Sequence, residues 1–65
     1  PVDTFYQLQF ADPNSDYWQT HNNRSKLKDA RAERDEIMRD ERARGTGRRC
    51  RIVKYEGKIH DRPLA

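Results

Sequence analysis

Val2, Tyr6, Leu8 and Phe10 occupy even positions near the start of the chain, with Gln7 and Gln9 between them. A period of two marks a strand with one face buried and the other wet. Phe5 breaks the polar side. Such a strand needs neighbours to pair its backbone groups and a second layer to cover its apolar row. The remaining sequence therefore has to provide further strands and a cover.

The stretch Asp12-Pro13-Asn14-Ser15-Asp16 follows, and each residue type in it favours a turn through a fixed φ or a local side-chain hydrogen bond. Residues 17–21 then read as a second strand, so that 4–21 form a β-hairpin with a five-residue loop. Asn22, Asn23 and Ser25 are candidate N-caps for a helix over 25–44, a span without Gly or Pro. Leu27, Ala30, Ile37 and Met38 lie on one narrow stripe of that helix, with Arg34 and Glu41 filling its remaining positions. Asp35 with Arg39, and Asp40 with Arg44, are i,i+4 pairs in the favourable orientation, worth about 0.2–0.5 kcal/mol each.

Gly45 and Gly47 stand where a left-handed residue would end the helix. Residues 49–55 resume a strand, with Cys50 and Ile52 on one side and Arg51, Val53 and Tyr55 on the other. Glu56-Gly57 can turn the chain into a short fourth strand over 58–60, and 61–65 read as a loose tail. The expected fold is α+β, a single domain with the order ββαβ. A right-handed crossover puts the third strand parallel to the second with the first between them, giving an antiparallel sheet of order 2-1-3 under one helix. The expected core is Tyr6, Leu8, Phe10, Trp18, Leu27, Ala30, Ile37, Met38 and Ile52, with Cys50 at its edge. One helix covers one side of a sheet, so the far side stays open unless a partner or a second copy covers it.

A chain of 65 residues is short enough to bury only about 60% of its unfolded surface. With 32% hydrophobic and 38% charged residues, its stability is expected to be marginal. The lone Cys50 cannot form an internal disulfide, which favours a reducing compartment. With no membrane-spanning apolar run and no signal-peptide layout at the N-terminus, the expected location is cytoplasmic, without a membrane partner.

Charge is more informative by segment than in total. Residues 1–23 carry Asp3, Asp12 and Asp16 and no Lys or Arg, and residues 24–41 balance. Residues 42–65 hold Arg42, Arg44, Arg48, Arg49, Arg51, Lys54, Lys58 and Arg62 against Glu56 and Asp61. Clustered guanidinium groups from Arg42 to Lys54 can hold phosphates, or an acidic protein. The plain alternative is a solvated surface with cations well placed at a helix C-terminus. Phe5, Val53, Tyr55 and Tyr17 are candidates for the open sheet face, where aromatic rings beside arginine can meet nucleic-acid bases or, more often, a protein. The macromolecule-binding candidates are accordingly Arg42, Arg44, Arg48, Arg49, Arg51, Lys54, Tyr55 and Phe5.

Catalysis is not expected, nor is a cofactor or metal. His21 and His60 with Cys50 match no zinc spacing, and a Cys–His pair would need an orienting group and an enclosing pocket. Asp35, Glu36, Asp40 and Glu41 alternate with arginine and read as neutralised in place. Gly45-Thr46-Gly47 is too short for a nucleotide loop and reads as a helix cap.

The layout of Phe5-Tyr6-Gln7-Leu8-Gln9-Phe10, Asp12-Pro13, Tyr17-Trp18, a charged helix and Arg51-Ile52-Val53 resembles small phage- or prophage-encoded accessory proteins. Many of these consist of a hairpin, a helix and a final strand. The resemblance spans most of the chain as a pattern, without a signature residue set. It implies binding and redirection of a host protein or nucleic acid, with inhibitors of host defence, including anti-CRISPR proteins, as the nearest class. The leading expectation is a binding module for a host protein. Nucleic-acid binding and a self-associating homodimer are the other two.

Overall fold

The computed structural model describes residues 3–57. It contains β1 (Asp3–Ala11), β2 (Gln19–Arg24), α1 (Leu27–Arg44) and β3 (Arg49–Gly57). The sheet has the order β2-β1-β3, and both pairings are antiparallel. This is the expected ββαβ topology, with the most apolar strand in the middle. Val2, the fourth strand at 58–60, His60 and the tail at 61–65 lie outside the described residues.

Register fixes which side chains share a face. Leu8 opposes Ile52 and Phe10 opposes Cys50, so the even side of β1 looks toward α1. Leu8 and Ala30 are fully buried there, and Leu27, Ile37, Met38, Tyr6, Phe10, Ile52 and Cys50 are half-buried. Glu41 closes this layer at 8% exposure. The helix stripe is as narrow as its sequence, and Leu8 is the only large side chain among the described residues that is sealed completely.

Several boundaries differ from expectation. β3 does not turn at Glu56-Gly57 but runs through both residues, which pair with Thr4 and Asp3 because β1 extends far enough to continue the ladder, and α1 starts at Leu27 and not at 25. β2 begins at Gln19 and runs to Arg24, with Thr20 opposite Gln9, Asn22 opposite Leu8 and a bulge between. The loop from Asp12 is correspondingly longer, and is held by Ser15 N–H donating to the Asp12 carbonyl and Tyr17 N–H donating to Ser15 Oγ. Asn22 and Asn23 therefore serve the sheet and do not cap the helix: Asn22 donates to Glu33, and Asn23 accepts from Gln7. The N-cap position falls to Lys26, whose side chain makes no capping bond. The bulge at His21 also turns two successive side chains to the helix, since both His21 and Asn22 reach Glu33. Arg24 joins them at 3.1 Å, fixing β2 to α1 through one carboxylate.

At the other end of α1, Gly45 adopts φ 65° and donates to the Arg42 carbonyl, as expected of a left-handed C-cap. No atom stands near enough to obstruct a Cβ at this position. Gly45→Ala is therefore a test of backbone conformation alone, and should cost about 1–2 kcal/mol in urea unfolding. An unchanged midpoint would show that the cap contributes nothing. Of the two expected helical ion pairs, Asp40 meets Arg44 at 2.8 Å, whereas Asp35 meets its neighbour Arg34.

Candidate functional site

The odd side of β1 faces away from the helix, and no described element covers it. Phe5 opposes Tyr55, Gln7 opposes Val53, Gln9 opposes Arg51 and Ala11 opposes Arg49. At one end, the Phe5 and Tyr55 rings stack with centroids 5.0 Å apart and planes 9° from parallel. At the other end, Trp18 projects from the long β1–β2 loop and lies beneath two guanidinium groups, with Arg51 at 4.1 Å and Arg49 at 5.0 Å from the ring centroid. Trp18 thus belongs to this face and not to the core beneath α1. The arginine stems and planar heads cover a ring that hydrophobicity alone assigns to the interior.

Between these ends runs a ladder of amides. Arg51 Nε donates to Gln9 Oε1 at 2.8 Å, Gln9 Nε2 donates to Gln7 Oε1 at 2.7 Å, and Gln7 Nε2 donates to Asn23 Oδ1 at 3.1 Å. Gln7 and Gln9 are only 6% and 8% exposed, although they stand on the side the helix does not cover. Buried amides are tolerable when each is hydrogen-bonded, and this row fixes their orientation across all three strands. Its far end is a charged group, which strengthens the adjoining bond and holds Arg51 in one orientation.

Arg49 is fixed differently. Its Nη2 donates to the backbone carbonyls of Asp12 and Ser15, so the loop that carries Trp18 is tied to the start of β3. Arg48 reinforces the same junction through Asp12 at 3.2 Å and Glu41 at 3.7 Å.

The eight sequence candidates do not form one patch. Phe5, Tyr55, Arg49 and Arg51 share the open face. Arg44 is neutralised by Asp40 and Glu41, and Arg48 by Asp12 and Glu41. Lys54 stands on the helix side opposite Tyr6 and pairs with Glu56 at 2.6 Å. Arg42 is exposed on the helix. Among the described residues, carboxylates therefore pair three of the six basic candidates, and Arg49 and Arg51 are the two unpaired cations that share a surface with aromatic rings. Val53 lies there as expected, whereas Tyr17 projects from the loop at 71% exposure. Trp18, Gln7, Gln9 and Asn23 are site residues the sequence did not single out for this role.

The remaining chemistry-bearing side chains are placed apart from this face. Cys50 is half-buried on the helix side, and burial pushes its thiol pKa up, with Arg34 lowering it and Glu33 raising it to smaller extents. A raised pKa leaves less thiolate at neutral pH. Iodoacetamide should accordingly label Cys50 more slowly in the native protein than in denaturant at about pH 7; equal rates would contradict its burial. His21 lies 3.4 Å from Glu33 and edge-on to Phe10. Among the described residues, no three His, Cys, Asp or Glu side chains are grouped to hold a metal ion. An open groove of about 800 Å³ runs between β2 and the flank of α1, but His21, Arg24 and Glu33 on its rim are already paired with each other. No helix among the described residues is long and apolar enough to cross a membrane. No protein-family model, curated protein or solved structure matches the chain.

Proposed function

We propose that this chain is a small non-catalytic binding module of the phage accessory kind, which holds a host protein on the open face of its sheet. The observation that carries the reading is the company that face keeps. A stacked Phe5–Tyr55 pair and Val53 lie beside two fixed guanidinium groups that no described carboxylate neutralises. Aromatic residues and arginine are the types enriched where proteins meet, and a sheet with one helical layer leaves such a face to be covered by something else. The pattern-level resemblance to phage accessory proteins supports a host macromolecule, protein or nucleic acid, as the target.

Nucleic acid is the second reading, because unpaired arginines next to aromatic rings also suit bases and phosphates. Two features weigh for protein. On the open face, Phe5 and Tyr55 each have one ring side taken by the other, and Trp18 lies against guanidinium groups, which reduces the ring surface left for stacking a base. Arg44, Arg48 and Lys54 are held by carboxylates, which leaves fewer charges to displace counterions from a phosphate backbone.

The test is retention of a protein from a host lysate by the tagged chain. Phe5→Ala combined with Tyr55→Ala should abolish retention, whereas Arg31→Ala on the exposed side of α1 should leave it unchanged. Equal retention by the double variant would refute the proposed surface. In parallel, a gel-shift titration with single-stranded DNA and RNA at about 50 mM salt should show no complex, since ionic binding is strong there. A complex that weakens steeply with salt and is lost in Arg49→Ala with Arg51→Ala would favour the second reading.

A further inference from the structure

We infer that Arg49 and Arg51, fixed against Trp18, form a carboxylate-binding site that selects an extended acidic segment of the partner. The inference rests on the open face being the binding surface and adds the chemistry that the face recognises.

Three observations carry it. First, the two guanidinium groups are immobilised before any ligand arrives: Arg51 through Nε to the buried Gln9, Arg49 through Nη2 to the Asp12 and Ser15 carbonyls, and both against one indole. Binding then costs little further side-chain entropy. Second, those bonds use Nε of Arg51 and one nitrogen of Arg49. The paired Nη groups at the head of Arg51 remain, and a planar two-donor edge matches a carboxylate in bidentate fashion. Third, neither arginine has a carboxylate partner among the described residues, while Arg24, Arg34, Arg44, Arg48 and Lys54 all do. Two like charges side by side, each without a counter-charge, favour an incoming anion.

The register sets what else the segment must carry. Along one face of β3 lie Arg49, Arg51, Val53 and Tyr55, with Phe5 stacked on the last. At about 3.3 Å per residue, Arg51 and Tyr55 stand roughly 13 Å apart. An extended segment following the strand would place acidic residues at alternate positions over the arginines. An apolar residue four positions beyond the nearer acidic one would then meet the aromatic pair. Flat recognition of this kind is sequence-selective because alternate side chains of a strand point the same way.

Trp18 is the sole tryptophan of the chain, so its fluorescence reports on the site directly. The probes are the peptide Glu-Thr-Glu-Thr-Val-Thr-Phe, the same peptide with Gln for both Glu, and oligothymidine, each titrated into the full chain at about 50 mM salt, where charge pairing is least screened. The Glu peptide should give a saturable change in emission, with the Gln peptide at least tenfold weaker. Arg49→Gln with Arg51→Gln should remove that difference without altering the circular dichroism spectrum, while Arg42→Gln should preserve it. Indistinguishable titrations by the Glu and Gln peptides, no saturable change with the Glu peptide, or tighter binding of oligothymidine than of the Glu peptide would each overturn the inference. The two proposals fail separately. If lysate retention is lost with Phe5→Ala and Tyr55→Ala but is unaffected by Arg49→Gln with Arg51→Gln, the carboxylate site falls and the binding face stands.

Discussion

Leu8→Ala should unfold most of the molecule. Leu8 is the one large side chain among the described residues that is sealed from solvent, and it lies in the central strand between Ile52 and Asn22 and faces α1. Truncating a fully buried leucine costs about 2–5 kcal/mol through lost transfer energy and the cavity left behind. A domain of this size has a total stability toward the lower end of roughly 5–15 kcal/mol, and the half-exposed Leu27, Ile37, Met38 and Ile52 provide little reserve. Collapse around the deletion is also limited, because β1 is held on both edges by hydrogen-bonded neighbours. Far-UV circular dichroism of Leu8→Ala should show loss of the cooperative thermal transition near room temperature, and Leu8→Ile should retain it at a lower midpoint. A Leu8→Ala protein that melts like the parent would mean that the packing of α1 on β1 contributes little to holding the fold.

The same residue shows why the architecture was legible in the sequence. Alternation at Tyr6, Leu8 and Phe10 fixes the register of β1, and a one-residue slip would turn Leu8 away from α1 and put a glutamine beneath the helix in its place. With β1 central and a long helix-forming span before the last strand, handedness leaves one economical topology, which is the one observed. β2 was harder to delimit because Gln19–Arg24 is wholly polar and has no alternation to read. Tyr17 and Trp18 drew the expected strand toward themselves, whereas they belong to the loop. Asn22 and Asn23 have the chemistry of helix caps, but a local preference worth about 1 kcal/mol yields to a ladder of backbone bonds.

The site was half legible, for a related reason. Phe5 stood out as the break in the polar row, and its stacking on Tyr55 follows from the register. The arginine-rich segment was visible as charge, but sequence carries no record of which cations find carboxylates. Asp12 and Glu41 are distant in the chain from each other and both reach Arg48 only through the fold. The hydrophobicity of Trp18 points it inward, whereas the cover it finds is provided by arginine and not by other apolar groups. Gln7 and Gln9 read as solvent-facing spacers, whereas they are buried and hydrogen-bonded to each other, to Asn23 and to Arg51, partners that only the fold brings beside them.

Gln9 is where stability and recognition meet, and its removal should damage both. In Gln9→Ala, the Arg51 Nε and the Gln7 Oε1 lose their partners together. Water can reach the exposed arginine head, but Gln7 is 6% exposed, so its amide oxygen is left largely unsolvated. An unsatisfied buried polar group costs about 1–3 kcal/mol, which is the expected loss in urea unfolding. Gln9→Met separates the contributions: it keeps the length and bulk of the side chain and removes its hydrogen bonds. If packing dominates, Gln9→Met should recover most of the loss, and if the ladder dominates, it should match Gln9→Ala. The geometry favours the ladder, since both ends of the Gln9 amide are engaged at 2.7–2.8 Å. Arg51 freed from Gln9 regains rotamer freedom, so the acidic peptide should bind Gln9→Met more weakly than it binds the parent even where the fold is intact. Equal affinity for the two would show that stacking on Trp18 alone is enough to set the guanidinium in place.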